Sequence, residues 1–118
     1  MAASASIRKI GNVSIVDLKG RITLGDGSGV IRDTIKDLVA KGERKLLLNL
    51  AEVTYIDSAG LGEMVGSYAT LTNQGGSMKL LNVQTRVRDV LQITKLYTVF
   101  EAFTGESAAV ASFEKAAA

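Results

Sequence analysis

Lys45-Leu46-Leu47-Leu48-Asn49-Leu50, then residues 51–56, then Asp57-Ser58-Ala59-Gly60-Leu61-Gly62: the passage from one apolar pattern into another sets the fold class. The run 46–50 is too short for a helix and apolar on both faces, as a central strand is when helices cover at least one side. Residues 51–56 read as a linker. From 61 to 74, Leu61, Met64, Val65, Tyr68 and Leu71 form one stripe at helical spacing, which stops at Gln74-Gly75-Gly76. Ser58 stands where an N-cap belongs, its hydroxyl placed to accept from an otherwise unpaired N–H of the first turn.

Outward from this centre, glycine marks the boundaries, because the chain has no proline. Residues 7–10 and 13–18 read as two strands joined through Gly11-Asn12, a hairpin signal. Gly20 and Gly25-Asp26-Gly27-Ser28-Gly29 break the chain before a helix over 30–41, which Gly42 closes as a C-cap residue. A strand over 78–83, a helix over 85–93, an edge strand over 99–103 and a terminal helix over 106–113, capped near Thr104, complete the order. This alternation predicts an α/β fold: one mixed sheet, an N-terminal hairpin plus parallel strands, with about four helices. The expected unit is a single domain over 1–118, with 1–5 and 115–118 frayed.

Composition removes several chemistries. The chain has 118 residues, 47% of them hydrophobic, enough for a packed core without staples. It contains neither cysteine nor histidine. Disulfides, thiolate metal sites and Ser-His-Asp or Cys-His catalysis are therefore excluded. Fourteen basic against twelve acidic residues, interspersed, argue against a nucleic-acid surface. No apolar run approaches a membrane span, and the small, polar start is unlike a signal peptide, so a cytoplasmic protein without membrane insertion is expected. The Gly25–Gly29 cluster lacks both the P-loop ending and the dinucleotide spacing, and reads as a flexible helix entry; no cofactor or metal is expected. Arg86, Arg88 and Lys95 read as a solvated face.

The second helix is poor in helix formers. Gly60, Gly62 and Gly66 fall in or near its first two turns, each costing about 1 kcal/mol relative to alanine in a helix interior. Ser58, Gly62, Gly66 and Thr70 lie four apart and form one bare stripe. Such a stripe admits a close backbone, either of the protein's own sheet or of a partner docked with Ser58 at its mouth. Only docking predicts that the stripe is open to solvent. A phosphate on Ser58 would sit at a helix N-terminus, where negative charge is favoured, while adding roughly two charges beside Asp57.

Tyr55-Ile56-Asp57-Ser58-Ala59-Gly60-Leu61-Gly62 resembles the signature of STAS domains, the bacterial anti-sigma-factor antagonists. The likeness extends to the opening hairpin, Gly20-Arg21-Ile22 and the strands over 46–50 and 78–83. It implies a binding module that is not an enzyme. In such a family the unphosphorylated antagonist binds an anti-sigma factor that is also a serine-protein kinase. That kinase phosphorylates the motif serine, here Ser58, and a serine phosphatase restores it. The resemblance implies partner contacts at Asp57, Ala59, Gly60, Gly62, Gly66 and Thr23. Many members carry an acid where this chain has Thr23, and Asp26 is the expected substitute. A second reading is a scaffold subunit of a signalling or transport assembly, with Ser58 only a cap. A hydrolase using Ser58 is disfavoured, since no histidine or lysine base adjoins it. The sequence does not set the oligomeric state.

Overall fold

The computed structural model describes residues 3–25 and 27–116. Strand β1 (Ser4–Ile10) turns through Gly11-Asn12 into β2 (Val13–Ile22), followed by helix α1 (Ser28–Ala40), strand β3 (Lys45–Ile56) and helix α2 (Ser58–Asn73). Then come strand β4 (Ser77–Leu81), helix α3 (Thr85–Ile93), a 3-10 turn over Leu96–Thr98, strand β5 (Ala102–Phe103) and helix α4 (Glu106–Ala116). The five strands form one mixed sheet in the order β1-β2-β3-β4-β5, antiparallel at the hairpin and parallel elsewhere. The expected α/β architecture with four helices is what the chain adopts.

Alternation along the strands divides the core between two faces. Val16, Leu18, Leu46, Leu48 and Leu50 pack with Ile31, Ile35 and Leu38 of α1, Leu61, Met64 and Leu71 of α2, and Val87 and Leu91 of α3. Val13, Ile15, Leu47 and Leu81 instead meet Ala109 and Phe113 of α4. The doubly apolar run 46–50 is thus covered on both sides. Gly42 ends α1 as expected. It takes φ +90°, and the N–H of Glu43 reaches back to the Leu38 carbonyl at 3.0 Å.

Several boundaries differ from the sequence reading. Ser4 and Ala5 are not frayed: they pair with Lys19 and Leu18 in the hairpin. Residues 51–56 are not a linker but the second half of β3, pairing with β2 from Lys19↔Glu52 to Ile22↔Ile56. Two register shifts lie in that pairing and break the period of two that would have marked it as strand. At the edge, a 3-10 turn entered through Lys95 at φ 62° carries the chain into a turn and bend over 99–100, so of the expected strand 99–103 only the two residues of β5 pair. Residues 115 and 116 close α4. Among the described residues no helix is long and apolar enough to cross a membrane.

Candidate functional site

At the end of β3 the chain passes from Ile56 to the first turn of α2, and Asp57 governs that passage. Its φ of −104° and ψ of −175° are extended, so Asp57, not Ser58, is the N-cap. One carboxylate oxygen accepts from Gly60 N at 2.9 Å and the other from Leu24 N at 3.1 Å. The cap therefore also ties the β2–α1 loop to the mouth of α2. The Asp57 N–H in turn donates to the Ile22 carbonyl at 3.2 Å. These backbone donors, Gly60 foremost and then Leu24, hold the Asp57 carboxyl below its ordinary value.

With the cap supplied by Asp57, Ser58 is the first residue of the helix, and it is exposed. Among the described residues its hydroxyl has no hydrogen-bond partner. The expectation that Ser58 caps the helix is overturned, because its backbone is already helical. Ala59 beside it is half-buried.

The three glycines of the helix divide in two. Gly60 is buried, and a Cβ there would run into the Ile22 carbonyl oxygen and come within 2.7 Å of the Ile22 side chain and 2.9 Å of Ile56. Its place among the partner contacts is corrected: Gly60 faces the protein's own β2, and only a glycine lets strand and helix approach so closely. Gly62 and Gly66 are exposed, with nothing within 4 Å of a Cβ. Ser58, Gly62, Gly66 and Thr70 thus form a stripe open to solvent, the condition set by the docking reading.

Thr23 is half-buried, and its carbonyl accepts from Gly27 N at 2.9 Å and Ser28 N at 3.1 Å, closing the loop into α1. Gly27 is buried within that loop, so the glycine cluster serves in part as close packing against β2. The expected contact at Asp26 lies outside the described residues. Two neighbours of the site escaped the sequence reading. Leu24, held beside the helix mouth through Asp57, is 78% exposed, and Arg21 sets its guanidinium 4.9 Å from the Tyr55 ring. A large exposed aliphatic one residue after Thr23 was the available signal for the first; the second depends on the shifted register of β2 and β3.

The STAS domain profile matches residues 4–109. The anti-sigma-B factor antagonist of Bacillus subtilis (strain 168) is 31% identical over 101 residues, covering 86% of this chain and 91% of the relative. The crystal structure of an anti-sigma factor antagonist from Mycobacterium paratuberculosis superposes with a TM-score of 0.85 at 18% identity, over 96% of this chain and 95% of that one. The phosphorylated form of the Bacillus cell fate determinant SpoIIAA superposes with a TM-score of 0.69 at 22% identity, over 89% and 96% of the two chains.

Proposed function

The chain belongs to the STAS domain family, and from that premise we propose that it is an anti-sigma-factor antagonist switched by phosphorylation of Ser58. Unphosphorylated, it binds an anti-sigma factor that doubles as a serine-protein kinase, and so regulates transcription indirectly in the cytoplasm. The observation that carries this reading is the division of labour between Asp57 and Ser58. Because Asp57 caps the helix, the Ser58 hydroxyl has no structural duty, stands in solvent and leads onto the open stripe of Gly62 and Gly66. In the scaffold alternative Ser58 would serve only as a cap, a role that Asp57 fills instead.

The chain itself supplies no catalysis. The carboxylate next to Ser58 is engaged by two backbone donors and held ionised, and no histidine exists to take the hydroxyl proton. Kinase and phosphatase activity come from partners. A phosphoryl group on Ser58 would be accommodated by the positive end of α2 yet would place about two charges in the docking surface, favouring release over unfolding. The contact surface comprises Ala59, Gly62 and Gly66, with Leu24 and the Thr23 loop beside them and Asp57 as the residue that positions them.

The test is phosphosite mass spectrometry on protein from its native cell, paired with kinase binding by the phosphorylated and unphosphorylated forms. Phosphate on Ser58 and loss of binding with it are expected. Phosphate on Thr54 or Ser67 with Ser58 unmodified, or undiminished binding by the phosphorylated form, refutes the switch.

A further inference from the structure

Below Ser58 the stripe runs into a cleft between α1 and α2 of about 680 Å³. One face of each helix builds it: Arg32, Ile35, Lys36, Val39 and Ala40 opposite Glu63, Gly66, Ser67, Thr70 and Gln74. Each set repeats at three- and four-residue steps, so the walls are continuous along the helices. A polar bridge stands near each end of the cleft. Arg32 reaches Glu63 at 3.2 Å near the mouth, and Arg44 donates to Gln74 Oε1 at 3.1 Å at the far end. Glu63 to Gln74 spans about 16 Å of helix at 1.5 Å per residue, room for a segment of about three turns.

Two side chains in this cleft have a donor with no protein acceptor among the described residues. Ser67 is 8% exposed, lines the cleft, and has no side-chain hydrogen-bond partner among the described residues. On the opposite wall Lys36 is exposed and has no carboxylate within ion-pair distance among the described residues, while Glu63, the carboxylate lining the cleft, is bound to Arg32. Between them lie half-buried Val39 and exposed Ala40, with core residue Ile35 beneath, and Gly66 leaves the opposite wall bare.

We propose that this cleft receives an acidic amphipathic helix of a protein partner, with aliphatic side chains against Val39 and Ala40 and a carboxylate offered to Lys36 and Ser67. Helices seat an apolar face in such grooves, and a groove-lining charge selects among partners more than it adds affinity. The inference rests on the chain being a partner-binding module, and not on phosphorylation of Ser58. Engagement would then have two parts: the switched mouth at Ser58 and an unswitched anchor below it.

The test uses the full unphosphorylated chain, isotopically labelled, and two synthetic amphipathic peptides with the same leucine face, one flanked by glutamate and the other by lysine. The glutamate peptide is expected to shift the amide resonances of Gly66, Ser67 and Thr70 and to bind about five-fold more tightly than the lysine peptide. Lys36→Glu, on an exposed site that leaves the fold intact, should invert that preference, and Gly66→Leu should weaken both peptides by filling the groove. Equal binding of the two peptides, or shifts confined to other elements, overturns the proposal. So does a shift of the same amides on raising the protein concentration alone, which assigns the cleft to a second copy. Because no kinase is present, peptide binding without Ser58 phosphorylation in the cell refutes only the switch, and the reverse refutes only the anchor.

Discussion

Asp57 carries two bonds from one carboxylate, so its loss should be felt in both the helix and the loop. Asp57→Ala removes the cap of α2 and the tether of Leu24 together, and a lower melting temperature is expected in thermal denaturation. Ser58→Ala, one residue away, should melt within about 0.5 kcal/mol of the parent, as surface substitutions without structural partners do. Equal losses for the two variants would return the capping role to Ser58. The pH dependence follows from the lowered Asp57 value. A carboxylate held below its unfolded value contributes stability that is complete above that value, about pH 4, and is lost as pH falls through the folded one. Urea titrations of the parent and Asp57→Asn should therefore converge as the pH drops below about 4 and separate above it. Sequence alone could not choose between these neighbours. Aspartate and serine are equally good caps, and the choice is made by the extended backbone of residue 57, which follows from where β3 ends.

Along α2, the same residue type does opposite things at positions six residues apart. Gly60→Ala should destabilise by about 1–3 kcal/mol, since the new methyl group meets a backbone carbonyl that cannot move aside. Gly66→Ala should instead raise stability by up to about 1 kcal/mol, because alanine is the better helix former and open space receives it. Chemical denaturation of the two variants checks both signs at once. A destabilised Gly66→Ala would mean that the lower stripe packs internally after all. The stripe was legible in the sequence as a spacing, but which of the helix's glycines touches β2 depends on tertiary approach and leaves no local mark. The run 46–50 was legible because its neighbours pair without register shifts. Residues 51–56 were hidden because buried Val53 and Ile56 fall three apart, a helical interval, where the pairing with β2 slips.

Across the molecule, the two faces of the sheet are joined by unequal means. The α1–α2–α3 side holds a large aliphatic core, whereas α4 is fixed by Phe113 and Ala109, by Lys79, whose ammonium donates to Ser112 Oγ at 2.8 Å beneath the helix, and by an ion cluster at its start. There Arg8 bridges Asp17 at 2.7 Å and Glu106, linking β1, β2 and α4. Arg8 is partly exposed, so Arg8→Ala should cost about 1 kcal/mol or less, and the difference should shrink in high salt. A salt-independent loss would place its contribution in packing instead. The overall architecture was the most legible scale, since alternation of strand and helix patterns leaves few topologies open. One property of that architecture reaches beyond the finished fold. The spatial order of the strands is their order along the chain, so during synthesis each strand leaves the ribosome to find its neighbour already laid down. The exception is the face under α4. Val13, Ile15, Leu47 and Leu81 wait, wetted, for Phe113, a residue made only after all five strands. A nascent chain halted before α4 should bind a hydrophobic dye and become chaperone-dependent, and it should lose both properties once the turns of α4 are translated.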